Sequence, residues 1–312
     1  MGTGNAREAP RRDSSSDSDK SASRNHIYWG GTVAAIAIGV GLALAGSHRG
    51  ATIGGIGVFA ACALISFAIN WTVFVPSFKA QTEHYYDLTG SITYFTVTVA
   101  ALVLTSDWDL RSIIMAALVL IWAGRLGTFL FRRVKADGRD QRFDRIKVNF
   151  AWFLMSWTIQ ALWVLFTAAA ALGAITSGSD ASIGVVFVIG LVIWIIGFAI
   201  EVVSDTQKSA FRADPANKGR FINVGLWAWS RHPNYFGEIV LWVGMAIMAL
   251  PTMEGWRYVT LISPVFVFLL LTRVSGVPML EASGKKRWGH EPAYQEYKAK
   301  TPVLILKPPT SS

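Results

Sequence analysis

The residues best suited to chemistry fall in four clusters, and the sharpest is Trp229-Ser230-Arg231-His232-Pro233-Asn234-Tyr235-Phe236-Gly237-Glu238. Pro233 suits the first turn of a helix, where its missing N–H costs nothing. Arg231, His232 and Tyr235 then stand around a helix N-terminus, whose free amides and dipole favour anions. Asn234, Glu238 and Trp242 are spaced by four, so an amide, a carboxyl and an indole line one face. The combination describes a phosphate-bearing ligand held at a membrane surface. An unpaired carboxylate at Glu238 would be costly within a membrane span, which argues against a purely structural role.

Three further clusters share this logic. Glu201, Asp205, Lys208 and Arg212 form a polar stripe along one helix face, although Asp205 and Lys208 could simply pair on a solvated surface. Asp214-Pro215 ends that helix, and a loop with Lys218 and Arg220 follows. Trp122 and Arg125 precede Arg132, Arg133 and the loop 136–144, which carries Arg139 and Arg142. Arginine forks suit phosphates; the loop arginines read equally well as membrane anchors, while Arg125 lies deeper. The stretch Gln81-Thr82-Glu83-His84-Tyr85-Tyr86-Asp87 would place Glu83, Asp87, Ser91 and Tyr94 on one inward helix face, with groups able to donate a proton or anchor a carbonyl. An ordinary interfacial belt of tyrosine and histidine is the competing reading. Glu83, His84 and Asp87 lack a second histidine nearby, so no metal is expected. The match Gly55-Ile56-Gly57-Val58-Phe59-Ala60 to a dinucleotide fingerprint lies in an apolar run without a preceding strand and is discarded. Walker, HExxH and GxSxG motifs are absent from the sequence.

The elements that must position these groups follow from composition. Of 312 residues, 52% are hydrophobic and only 16% charged, against about a quarter charged in a soluble chain. A soluble enzyme, a disordered chain, a collagen-like fibre and a disulfide scaffold are excluded together. The single cysteine, Cys62, sits in an apolar run. Apolar runs fall near 27–46, 53–75, 88–105, 112–131, 148–175, 183–203, 234–253 and 258–274, most close to the roughly 20 residues that span a bilayer as a helix. None alternates with period two, which argues against a barrel. The expected fold is all-α, a polytopic bundle of seven or eight transmembrane helices enclosing a cytoplasm-facing cavity. Residues 1–26 read as a disordered tail, and 27–312 as one membrane domain.

Basic residues decide orientation. With an inside N-terminus, the inside segments hold nearly all of them, and the outside loops only Arg49, Arg111 and Arg257. This predicts cytoplasmic termini in a multi-pass protein, with a bacterial plasma membrane the expected location. The net charge of +9 is then mostly a topology signal and not one for nucleic acid. The halves differ in loop length and polar content, which gives an inverted-repeat transporter little support. Gly46, Gly50 and Gly54 suit close helix packing.

The stretch from Glu201 to Trp242 resembles the C-terminal domain of the steroid 5α-reductase family, in particular its bacterial branch of uncharacterised membrane proteins of the DUF1295 type. That family's pattern is Asn or Glu, Asp four residues on, Arg seven further, a second Arg after a loop, then Asn-x3-Glu-x3-Trp. Glu201, Asp205, Arg212, Arg220, Asn234, Glu238 and Trp242 occupy those places, and the likeness extends over about residues 70–304. The resemblance implies a membrane reductase that binds NADPH and delivers hydride to a double bond conjugated with a carbonyl in a lipophilic steroid, enone or isoprenoid-like substrate. Glu201, Asp205, Arg212, Arg220 and Asn234 would hold the cofactor, joined by Arg125, Arg231, His232 and Tyr235, with Glu238 orienting the nicotinamide amide. In the steroid enzymes a membrane glutamate and a tyrosine polarise the 3-oxo group; here Asn70 and Trp122 fall there, with Trp242 completing the substrate side. The acid would then have moved to Glu83 and Asp87 with Tyr86 as donor, or the substrate is not a 3-oxo steroid. Lys285-Lys286-Arg287-Trp288-Gly289-His290 with Tyr294 and Tyr297 is similar to the family's closing element.

The Arg-His-Pro-x-Tyr element also resembles membrane methyltransferases of isoprenylcysteine, which use S-adenosylmethionine. Asp205, Arg212 and Arg220 favour the reductase, because the phosphates of NADPH call for more arginines than a sulfonium cofactor. A non-enzymatic membrane binding protein is the third reading. The expected partners are membrane lipids and a lipophilic small molecule, the latter entering sideways from the bilayer.

Overall fold

Within a bilayer every backbone N–H and C=O must be satisfied internally, so apolar runs of this length fold as helices. The computed structural model describes residues 14–106, 108–137, 143–179 and 181–309, the side chains of 14–24 and 129–137 excepted. Its elements are α1 (Ser14–Ser47), β1 (Thr52–Ile53), β2 (Ile56–Gly57), α2 (Val58–Lys79), α3 (Tyr86–Thr105), α4 (Leu110–Asp137), α5 (Phe150–Ile175), α6 (Val185–Ala213), α7 (Pro233–Ala249), α8 (Ser263–Leu269), α9 (Gly276–Trp288) and α10 (Pro292–Lys300). Eight of the described helical segments are long and apolar enough to cross a membrane, the last being the composite Gly255–Trp288. The protein is an all-α, multi-pass membrane bundle.

Two boundaries differ from the sequence reading. The first helix begins at Ser14 and takes in part of the segment expected to stay disordered; residues 1–13 lie outside the described residues. Once the apolar part of α1 has met the nucleation cost, the polar residues before it extend an existing helix cheaply. Residues 53–57, expected in the second span, fall with Thr52 in a two-stranded antiparallel turn. Gly54 and Gly55 adopt positive φ there, a conformation that suits glycine. The sixth helix runs on past the apolar run to Ala213, with Asp214 as its C-cap, and carries the polar stripe in one unbroken helix, as the sequence predicts.

Helix α5 is the hub, buried along most of its length and packed by α1, α2, α3, α4, α7 and α8. Its run Ala168–Ala171 is fully buried, and such small side chains let helices approach from several sides.

The pairing of α6 with α7 positions the site. The buried face of α6 reads Phe187, Gly190, Trp194, Gly197, Glu201 and Ser204, alternating steps of three and four as a helix seam does, with Asp205 buried beside Ser204. Gly190 faces Gly244, and Gly197 faces Gly237. A Cβ on Gly197 would stand 2.7 Å from the Gly237 carbonyl oxygen, and one on Gly237 would stand 2.6 Å from the Glu201 amide nitrogen. Backbone meets backbone along this antiparallel seam, bringing Glu201 and Asp205 against the first turns of α7.

At the end of the bundle away from the chain termini, two buried arginines stitch loops together. Arg257 donates to the carbonyls of Thr252 and His48, at 3.0 and 2.7 Å. Arg111 donates to Asp109 and to the Ser179 carbonyl, at 2.8 and 2.9 Å.

Candidate functional site

Two compartments meet at the start of α7. The inner one lies between α3, α4, α6 and α7. Arg125 of α4 reaches across to α6 and pairs with both Glu201 and Asp205. Asn234 donates its Nδ2 to Asp205 Oδ1 at 3.1 Å, using the carboxylate oxygen that Arg125 leaves free. One turn before Arg125, the buried Trp122 packs edge-on against Trp242 and Tyr94, with ring centroids 5.0 and 5.1 Å apart. The Tyr94 hydroxyl meets Thr167 of α5. Glu238 follows Asn234 by one helical turn and precedes Trp242 by one, so it stands on the same face of α7.

The outer compartment is a cavity at the end of the bundle that holds the chain termini. It is lined by Lys208, Arg212, Arg220, Arg231 and Arg287, with an aromatic wall of Phe221, Trp288, Tyr294 and Tyr297. Helices α9 and α10 close it: Trp288 Nε1 donates to the Gly219 carbonyl at 2.5 Å, and the Tyr297 hydroxyl to the Trp227 carbonyl at 2.7 Å. The chain beyond α10 lies across the entry to α7, through Arg231 N to the Pro302 carbonyl and Lys307 N to the Trp229 carbonyl. In the cavity Glu281 gathers three cationic or basic groups: Arg231 at 2.7 Å, His232 at 3.2 Å and Lys298 at 3.2 Å. Glu281 escaped the sequence reading, since it lies far along the chain from its partners and in no motif. Burial of the Tyr297 phenol pushes its pKa up, so it remains neutral.

His232 caps α7 and stacks on Tyr235, ring centroids 5.6 Å apart. Burial lowers its pKa more than the Glu281 contact raises it. The unfolded imidazole therefore binds its proton more readily than the folded one, and stability falls as pH drops through about 6.5. Thermal melts of the detergent-solubilised protein should show this acid loss, and His232→Gln, lower in stability at neutral pH, should show less of it.

The structure thus gathers Arg125, Glu201, Asp205, Asn234, Glu238, Trp122 and Trp242 around one core, and Arg212, Arg220, Arg231 and His232 around the cavity beside it. Tyr86 and Glu83 are placed elsewhere. The Tyr86 hydroxyl donates to the Ser156 carbonyl at 2.9 Å, and its ring packs on Phe143 and Trp157 in a second apolar cluster. Glu83 pairs with Lys147 at 2.7 Å. The phenol that meets the core is Tyr94, two turns beyond Asp87 on the face that also carries Ser91. Asp87 accepts from Ser91 through its backbone carbonyl, at 3.4 Å. Asn70 reaches Thr93 at 3.3 Å, while Trp122 meets the next residue, Tyr94. Among the described residues no cluster of metal-ligand type occurs. The side chains of Arg132, Arg133, Arg139 and Arg142 lie outside the described residues.

Several buried polar atoms here have no protein partner: Arg231 Nε, His232 Nδ1, Asn234 Oδ1, Glu201 Oε2 and Trp242 Nε1. Buried polar atoms are nearly always satisfied, and these five belong to residues of the two compartments, while others lie elsewhere in the bundle, at Arg111, Trp157 and Arg257 among them. Fold and site together define a multi-pass membrane protein with a polar core beside a basic, aromatic cavity.

The chain belongs to a family described as "Protein of unknown function (DUF1295)", whose model matches residues 73–301. Among curated proteins it is similar to an uncharacterised protein of Schizosaccharomyces pombe, 24% identical over 53% of this chain and 57% of that protein. It is also similar to 3-oxo-5-alpha-steroid 4-dehydrogenase 1 of Bos taurus, 27% identical over 38% of this chain and 41% of the relative. A probable O-methyltransferase of Ustilaginoidea virens is 29% identical over 33% of this chain and 34% of its own length. The matches therefore span between about a third and under three-fifths of these relatives. No solved structure matches the chain.

Proposed function

We propose that the protein is an integral membrane reductase that uses NADPH to reduce a carbon–carbon double bond conjugated with a carbonyl in a lipophilic substrate. The observation that carries this reading is the continuity of the α6–α7 seam, which joins an arginine-rich, aromatic-walled cavity to a buried polar core. Guanidinium forks match phosphates, and aromatic faces match the adenine of a dinucleotide. The unpartnered Arg231 Nε, His232 Nδ1 and Asn234 Oδ1 fit a polar ligand lying across both compartments. Arg212, Arg220 and Arg231 would hold the phosphates, with Asp205, Asn234 and Glu238 at the nicotinamide end. The cofactor supplies hydride.

The chain's own part is to position the substrate carbonyl and to stabilise the enolate charge as it develops. We assign the carbonyl donor to Tyr94 rather than Tyr86, because Tyr94 packs on Trp122, which in turn packs on Trp242 of α7, whereas the Tyr86 hydroxyl is taken by a backbone carbonyl. Trp122 and Trp242 would flank the substrate. The bovine relative's name supports this class of reaction. The positive-inside distribution supports a cytoplasmic face for the cavity.

Likeness to the fungal O-methyltransferase, with the Arg231-His232-Pro233-Asn234-Tyr235 element, favours S-adenosylmethionine chemistry as the second reading. One titration separates the two. Purified protein should bind NADPH, followed by fluorescence and calorimetry. Arg212→Ala and Arg220→Ala should each weaken binding by about tenfold or more, as expected for loss of a charge-assisted contact. Binding of S-adenosylmethionine in place of NADPH would sink the reductase reading.

A further inference from the structure

The basic outer cavity contains one acid. Among the described residues its lining carries five cationic side chains, Lys208, Arg212, Arg220, Arg231 and Arg287, and a single carboxylate, Glu281. The fold puts that carboxylate at the entry to α7. Gly276, the first residue of α9, lies against the Tyr235 ring, which a Cβ there would meet at 2.7 Å. Tyr235 stacks on His232, and Glu281 follows Gly276 by five residues, about a turn and a half of helix. The carboxylate is thereby laid over Arg231 and His232.

Both of its oxygens are used. Oε2 accepts from Arg231 Nη1 at 2.7 Å and meets Lys298 Nζ at 3.2 Å, while Oε1 lies 3.2 Å from His232 Nε2. The side chains of Arg231, His232 and Glu281 are no more than 23% exposed, so solvent and salt screen these contacts less than they screen surface pairs. Arg231 Nε and His232 Nδ1 are nevertheless buried with no protein partner, and Glu281 meets only part of what the two residues can bond. A carboxylate brings two oxygens and one charge; a phosphate brings three acceptor oxygens and about two charges. Like charges placed side by side are costly, so a phosphate approaching Arg231 is opposed by Glu281 and must take its place. An ordinary tie between α9 and α7 is the competing reading, and the two differ in sign. Removing a tie loosens the site, whereas removing a competitor strengthens anion binding.

We propose that Glu281 is a specificity-determining residue of the outer cavity: an internal anion that competes with a ligand's phosphates for Arg231 and favours ligands able to displace it. The inference rests on the reading that this cavity takes a phosphate-bearing cofactor. A ligand with several phosphates replaces the single carboxylate and also reaches the unmet atoms of Arg231 and His232. The amino-acid carboxylate of S-adenosylmethionine offers nothing there that Glu281 does not already supply.

Inorganic pyrophosphate is the probe, titrated by calorimetry into the full-length protein in nanodiscs of zwitterionic phospholipid. Glu281→Gln keeps the shape of the side chain and removes its charge, and it should bind pyrophosphate about tenfold more tightly than the unsubstituted protein, the size of one charge-assisted contact no longer opposed. Should that variant lack a single thermal transition, Glu281→Asp, whose carboxylate is withdrawn by one methylene, takes its place with a smaller tightening expected. Unchanged or weaker binding by the folded variant, or no binding by it, overturns the proposal and leaves Glu281 a tie between α9 and α7. The cofactor reading fails separately. If the unsubstituted protein does not bind NADPH while pyrophosphate tightens in Glu281→Gln, the cofactor reading falls and the competing anion stands; NADPH binding without that tightening gives the reverse.

Discussion

Arg125→Gln should lower stability by about 3–5 kcal/mol, because it strands Glu201 and Asp205 as buried carboxylates without a counter-charge. The arginine crosses from α4 to α6 and serves both acids at once, so one substitution removes both pairings. Asn234 retains a single neutral contact to Asp205, which cannot replace a charge. Arg125→Lys should recover part of the loss, since an ammonium on a flexible stem lacks the planar fork that matches two acceptors. The double variant Arg125→Gln/Glu201→Gln should be more stable than Arg125→Gln alone, because it removes one stranded charge. Equilibrium unfolding in mixed micelles measures all three. Equal stability of Arg125→Gln and the unsubstituted protein would show that these groups are solvated and the compartment open to water.

The second large effect is expected at the glycine seam. Gly197→Val should lower stability by more than the 1–3 kcal/mol typical of overpacking, because the first atom of the new side chain meets main chain. A flexible side chain could swing away; the Gly237 carbonyl, 2.7 Å from the added Cβ, cannot move without displacing α7. Gly237→Val meets the Glu201 amide in the reciprocal way. Gly41→Ala, where nothing lies within 4 Å of the added atom, is the control and should be neutral or slightly stabilising, alanine being the better helix former. In the seam variants that still fold, α6 and α7 separate, and NADPH binding should fall together with thermal stability. A Gly197→Val protein that melted like the unsubstituted chain would show that the two helices do not pack at backbone distance.

Much of the site was legible in periodicity. Glu201 and Asp205 repeat at four, as do Asn234, Glu238 and Trp242, and a helix turns such repeats into faces. Polar groups at that spacing in an apolar run announce an inward face, because the bilayer penalises any other placement. Tyr86 shows where this reasoning stops. Tyr86 and Tyr94 both carry a phenol on α3, and the spacing that puts Tyr94 on the face of Asp87 and Ser91 leaves open which phenol another helix meets. Their partners come from α5 in one case and α4 in the other, and helix-to-helix contact has no signature in local spacing. Glu281 is the same problem over a longer distance: it meets Arg231 and His232 only because α9 folds back over the start of α7.

By itself the sequence determined that this is a multi-pass helical membrane protein, because hydropathy and chain length act locally on each segment. It also determined which residues on α6 and α7 are chemically capable, since helical spacing converts residue type into a face. Only the tertiary structure decided which faces meet. The partners of Arg125, the meeting of Tyr94 with Trp122 and the reach of Glu281 to Arg231 depend on contacts between segments far apart in the chain. Those contacts are selected by backbone-close packing at Gly197 and Gly237, an effect of shape between helices that acts only once the bundle has formed.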